Sequence, residues 1–251
     1  FDKAQIETLI KKHFTRIQAP ARPRARPVAD VADNQAPLVS IATDKEQVGT
    51  SINLMFKVPA EDTKTVGDYR RDLVEQLYLT MLNNRFYEIT QKADAPFTGA
   101  GASKGSFIAR GKDAFTLAAS VKETGIENGV EALLTEARRV DQFGFLESEL
   151  ARAKQNMLRG YERAYTERDK TQSEALVNEL IGNFLSDEAI PGIEYEYKVV
   201  QQQLPTVTLA EVNALASKWI TDENRIILVQ APEKPDVKVP TETELLAVFD
   251  R

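Results

Sequence analysis

Proline placement constrains this chain first. Pro20, Pro23 and Pro27 fall within residues 18–35, and Pro232, Pro235 and Pro240 lie near the C-terminus. A proline ring fixes φ and removes a backbone donor, so such stretches resist regular helix and central strand. Residues 18–35 read as an extended linker and 233–251 as a second one. The foldable body is expected over 36–232. Residues 1–17 form a separate helix in this reading, with Ile6, Leu9, Ile10 and Phe14 at helical spacing. Arg22, Arg24 and Arg26 make the first linker basic. A solvated spacer is the plain reading and an anion-binding arm the alternative.

Between the linkers, strand and helix periodicities alternate. Leu38-Val39-Ser40-Ile41-Ala42 is a short apolar run, and Ser51 to Val58 alternates before Pro59, so two strands are expected with a turn near Gly49. Thr65 to Asp68 matches a capping box. Tyr69, Leu73, Leu77 and Met81, with Val74, Tyr78, Leu82, Phe86 and Ile89, then give a wide apolar stripe down to about Lys92. The opposite face carries Arg70, Arg71, Glu75 and Asn83. A strand pair follows at Phe97–Ala109 and Phe115–Val121, with Gly111-Lys112-Asp113 suited to the hairpin turn.

The second half reads as helical. One helix opens at a Thr124 cap and stops at Gly144; the next runs from Leu146 to about Arg168. A third is capped at Thr171, with Leu176, Val177, Leu180, Ile181 and Phe184 expected inward. A fourth follows Pro191 over 192–203, and a last one is capped at Thr208. Arg225 to Ala231 is a buried strand. The order β-β-α-β-β-α-α-α-α-α-β implies an α+β fold, with helices packed on one face of a largely antiparallel sheet.

Composition then removes most chemistries. The 251 residues include one histidine, His13, and no cysteine. Cysteine-based and three-histidine zinc sites, disulfides and thiol nucleophiles are excluded within this chain. H-x-x-E-H needs two histidines; no G-x-S-x-G elbow or P-loop occurs, and Gly99-Ala100-Gly101 with Gly105 is not a dinucleotide fingerprint. Glu147/Glu149 and Glu167/Asp169 stand two apart, which points them away from each other on a helix, and they read as solvated. His13 falls in a last helical turn, a capping position. Tyr161 and Tyr165 share a helix face and read as packing residues, with a ligand-facing edge as the alternative. Arg163 and Glu167 can pair one turn apart. A net charge of −6 argues against a nucleic-acid binder. No run of about 18 apolar residues occurs, so no membrane span is expected. The opening Phe1-Asp2-Lys3 is that expected of a segment of a longer protein. Absence of cysteine is compatible with an oxidising compartment such as a periplasm.

Several stretches together resemble a known family. They are Asp72-Leu73-Val74-Glu75-Gln76-Leu77 through Met81-Leu82-Asn83-Asn84-Arg85-Phe86, then Gly144-Phe145 with Glu149-Leu150 and Ala153-Lys154, which follow a G-F-x-x-x-E-L-x-x-A-K pattern. Glu162 to Thr171 and Ile190-Pro191-Gly192-Ile193-Glu194-Tyr195-Glu196 fit a bacterial PqqL-type subgroup. With these, residues 37–232 resemble the non-catalytic second domain of the insulinase/pitrilysin family of zinc peptidases. Many relatives carry Gly-Gly where Asn83-Asn84 stand here.

The resemblance implies a role without local catalysis. The family's H-x-x-E-H motif lies in a preceding catalytic domain, so zinc is expected there and no cofactor in this chain. Residues 1–17 look like the tail helix of that domain and 18–35 like the connector. Partners are then the catalytic domain, the second half of the same protein, and a peptide substrate enclosed between the halves, with no nucleic acid. The resemblance also implies a strand edge that anchors peptide, matched here by Phe97, Thr98, Gly99, Ala100, Gly101 and Ala102. Glycine and alanine leave the backbone unshielded for an added strand; the plain alternative is that they permit close helix-on-sheet packing. Arg163, Glu167 and Arg168 are candidates for an inter-domain contact. A degenerate, zinc-free relative that scaffolds an assembly is the rival reading.

Overall fold

The computed structural model describes residues 2–25, 27, 29–235 and 237–249. The helices are α1 (Lys3–Phe14), α2 (Val66–Thr90), α3 (Ile126–Phe143), α4 (Glu147–Thr166), α5 (Ser173–Ser186), α6 (Ile193–Gln203), α7 (Leu209–Trp219) and α8 (Glu242–Phe249). The strands are β1 (Leu38–Asp44), β2 (Thr50–Pro59), β3 (Gly99–Phe107), β4 (Ala109–Val121) and β5 (Arg225–Pro232).

The strands form one sheet in the order β1-β5-β2-β4-β3. Pairings of β2 with β4, β2 with β5 and β3 with β4 are antiparallel, whereas β1 runs parallel to β5. The last strand therefore inserts between the first two, and no hairpin forms at Gly49. Alternation decides which face is buried. Ile52, Leu54 and Phe56 on β2, Phe115, Leu117 and Ala119 on β4, and Ile227 and Val229 on β5 are buried on one face. That face is covered by α2, α3 and α7, as the α+β expectation requires. Tyr78 sits at its centre, edge-on to Trp219 at 5.0 Å, to Phe145 at 5.3 Å and to Phe115 at 6.1 Å between ring centroids.

Two capping boxes form as read from sequence. Thr65 accepts from the Asp68 amide and Thr208 from the Glu211 amide, each acid bonding back to the cap. The other two expected caps do not form: α3 starts after Gly125 and α5 after Gln172, neither with a side-chain cap. The β3–β4 turn lies at Ile108, at φ 46°, and Gly111-Lys112-Asp113 falls inside β4.

Larger corrections concern burial. Leu176, Val177, Leu180, Ile181 and Phe184 on α5 are exposed, by 49, 49, 61, 47 and 75%. The apolar residues of α1 are likewise exposed, and no residue of that helix is buried. The C-terminal stretch expected to be a linker carries α8, whose Leu245, Val248 and Phe249 are buried against the core. Among its described residues the first linker docks near its end, where Lys57 bonds the Ala32 carbonyl, Asn34 bonds Asn224 and Arg225, and Asp33 pairs with Lys112 at 2.7 Å. Arg22 and Arg24 are exposed, and Arg26 lies outside the described residues.

Candidate functional site at the edge of the third strand

The motif residues position the site from behind. Arg85 on α2 reaches Glu149 on α4 with two bonds of 2.7 and 2.8 Å, Glu136 on α3 at 3.1 Å and the Gly144 carbonyl at 3.2 Å. Its guanidinium also lies 4.8 Å from the Phe145 ring centroid. Burial pushes the Glu149 pKa up, but the Arg85 bonds outweigh it and hold it below the ordinary value. Glu149 also accepts from the Leu146 amide at the start of α4. It is therefore a largely shielded anchor, not the solvated residue its spacing suggested. Gly144 adopts φ 71°, and a Cβ there would fall 2.4 Å from the Asn213 amide nitrogen, so the turn demands glycine. Lys154 bonds the Pro205 and Val207 carbonyls at the start of α7. The pattern that carries the family resemblance thus ties α2, α3, α4 and α7 together.

Held this way, α2 runs beside β3, one of the two edge strands. Phe97 is buried and meets Phe86 edge-on at 6.1 Å. Thr98 is exposed, and its amide and hydroxyl both bond the Ser120 carbonyl. Gly99, Ala100, Gly101 and Ala102 pair in register with Ser120, Ala119, Ala118 and Leu117. At Ala102 the edge is already occupied. The Asn83 carboxamide accepts from the Ala102 N–H at 2.6 Å and donates to its C=O at 3.0 Å. An antiparallel ladder turns alternate residues outward, so Ala100 and Lys104 share the Ala102 orientation. A Cβ on Gly101 would stand 3.3 Å from the Asn83 oxygen. Small residues at this edge thus do admit close helix packing.

Farther along β3, Lys104 bonds both Glu75 oxygens at 2.8 and 2.9 Å and Glu61 at 2.8 Å. Burial disfavours the ammonium, yet the two carboxylates raise its pKa above the ordinary value. Glu75 and Asn83, read from sequence on the face opposite the apolar stripe, face β3. Their partners lie 29 and 19 residues away, beyond the reach of helical periodicity.

The charged stretch after α4 behaves differently from its sequence reading. Arg168 pairs with Glu194 at 3.1 Å and covers the Tyr165 ring at 4.6 Å from its centroid. Among the described residues no ion pair joins Arg163 to Glu167. Tyr165 stacks on Tyr197 at 5.1 Å. Tyr161 lines a cleft of about 530 Å³ with Tyr69, Asp72 and Glu196. Its hydroxyl lies 3.1 Å from that of Tyr69, which is 3.5 Å from Glu196. Burial raises the pKa values of Asp72 and Glu196, the latter also through Glu179.

The donor set does not fit a zinc ion. His13 is the one histidine, and it lies exposed on α1. Among the described residues no three His, Cys, Asp or Glu side chains converge as such a site requires.

Fold and site together define an α+β domain that presents an edge strand and, among the described residues, no converging set of metal donors. Residues 1–157 match the peptidase M16 inactive domain, and the chain belongs to that family. It is 28% identical over 232 residues to a zinc protease PQQL-like protein of Arabidopsis thaliana, covering 92% of this chain and 21% of that protein. Identity to the probable zinc protease PqqL of Escherichia coli K12 is 21%, covering 87% of this chain and 23% of the relative. The chain thus spans less than a quarter of these relatives. In structure it is similar to the first half of the periplasmic protease PqqL from Escherichia coli, with TM-score 0.83 at 17% identity, over 100% of this chain and 53% of that one. The ferredoxin protease FusC, solved with Arabidopsis ferredoxin, gives 0.72 at 16% identity, over 100% and 28%. These structural likenesses are likenesses of fold. The expected insulinase-family, PqqL-like character of a non-catalytic domain is borne out.

Proposed function

We propose that this chain is the substrate-chamber domain of a zinc metallopeptidase, inactive alone, and that it anchors an extended peptide along the edge of β3. The observation that carries the reading is an edge strand of small residues, Gly99 to Ala102, inside a family domain whose described residues bring no three metal-donor side chains together. Main-chain pairing reads little sequence, which suits an enzyme that must accept varied unfolded peptides. Zinc and the general base are supplied by the preceding catalytic domain. The exposed charges of Arg163 and Glu167, with Arg168, contact that domain or the second half of the same protein. A periplasmic setting follows from the PqqL likeness.

A second reading has one observation in its favour. Asn83 already satisfies the Ala102 edge groups, as a purely packed scaffold domain would have it. One experiment separates the two. Gly101→Val in the full-length protein should weaken peptide binding severalfold on the first reading. Unchanged peptide affinity in a folded variant would sink it. Loss of H-x-x-E-H upstream in the coding sequence would favour the scaffold.

A further inference from the structure

We infer that Asn83 is a latch on the β3 edge, a side chain that stands in for a strand residue and must swing away before peptide pairs past Ala100. The inference rests on the edge reading above and deepens it. A carboxamide carries one acceptor oxygen and one donor nitrogen in a plane, the same pair that a peptide group offers. At Ala102 both are used: the N–H goes to Asn83 Oδ1 at 2.6 Å, and the C=O receives from Asn83 Nδ2 at 3.0 Å. An incoming strand needs those two groups, and they cannot serve both partners.

The surroundings favour a side chain that holds this position yet can leave it. A Cβ at Gly101 would stand 3.3 Å from Asn83 Oδ1, so glycine lets the carboxamide sit against the strand without crowding. Asn83 is half-buried, while its neighbour Asn84 is exposed. No charge locks Asn83, unlike Lys104 two residues along the strand from Ala102, which is fixed by Glu75 and Glu61. Asn83 is therefore a releasable stop on the edge at Ala102. Peptide first pairs at Ala100, and release of Asn83 lengthens the ladder toward Lys104.

The latch sets affinity in a stated direction. Without it the peptide no longer has to displace two neutral hydrogen bonds, so removing the competitor should tighten binding by roughly five- to a hundredfold. The test is fluorescence anisotropy with a labelled, extended Thr/Val-rich peptide on the full-length protein. Asn83→Ala should bind more tightly by that factor. Asn83→Asp, which can accept from the Ala102 N–H but not donate to its C=O, should fall between. Hydrogen exchange at the Ala102 amide should quicken in free Asn83→Ala and slow again with peptide. A merely structural Asn83 would give Asn83→Ala equal or weaker peptide binding with its fold intact by circular dichroism, and that result overturns the latch while leaving the edge reading in place. Peptide binding by neither protein would overturn the edge reading and the latch with it.

Discussion

Arg85 is a hub of the helical layer. It joins three helices through Glu136, Glu149 and the Gly144 carbonyl. Its side chain is 16% exposed, and those of the two acids are 6 and 14%. Removing a partner from such a network leaves uncompensated buried charge, which costs about 3–5 kcal/mol. Arg85→Ala is expected to lose that much in urea denaturation. Arg85→Lys should recover little, because an ammonium cannot replace the bidentate fork. Glu211 supplies a pH signature. The Arg70 bond, then that from the Thr208 amide, lower its pKa from 4.5 to about 2 against an opposing burial effect. A depressed folded pKa means stability present above the unfolded value and lost as pH falls toward about 2. Wild type should therefore lose more stability than Glu211→Gln across that window, measured by urea midpoints at each pH. The Thr208–Glu211 box was legible in sequence because its partners are three residues apart. The role of Glu149 was not, because Arg85 lies 64 residues away.

Elements show the same division between local pattern and distant partner. Their order was readable: the strands and helices over 38–231 appear where periodicity put them, within a few residues, except β4, which starts at Ala109 and takes in the stretch expected to turn. Pairing was less so, since nothing local says that β5 enters between β1 and β2. The tyrosine cleft was half visible: Tyr161 stood on a helix face in the sequence, but its partner Tyr69 comes from α2 and the Glu196 that Tyr69 reaches comes from α6. The clearest failure is α5. Its stripe at 176, 177, 180, 181 and 184 has the spacing of a core helix, yet these side chains are exposed. Periodicity reports that a helix has an apolar face, not that this chain covers it. The consequence is measurable. Leu180→Ser and Ile181→Ser should each change the stability of the 251-residue chain by less than about 0.5 kcal/mol. Leu133→Ala on α3, at a fully buried position, should cost about 2–5 kcal/mol. Equal losses in urea titration would mean that α5 is buried in solution.

At the scale of the molecule, the ends decide what kind of body this is. The C-terminal helix α8 packs on α3 and β1, Arg138 bonds the Phe249 carbonyl at 2.6 Å, and Arg225 lies 5.2 Å from the Phe249 ring centroid. It closes the side of the core next to the parallel β1–β5 pair. The other end offers the sequence's one histidine on α1, a helix with no buried residue. A tight zinc site needs about four donors fixed at about 2.0–2.3 Å by a surrounding shell, and an exposed imidazole on such a helix has neither fellow donors nor shell. Asp2 at the start of α1 is committed to capping it, and Glu7 is paired with Lys11 at 2.6 Å. The 251-residue chain, incubated with excess zinc and then dialysed, should retain well under one equivalent by atomic emission, and its thermal midpoint should not move. One retained zinc per chain, lost in His13→Ala, would mean that α1 recruits donors from elsewhere in the fold. It would also withdraw the assignment of metal chemistry to the neighbouring domain.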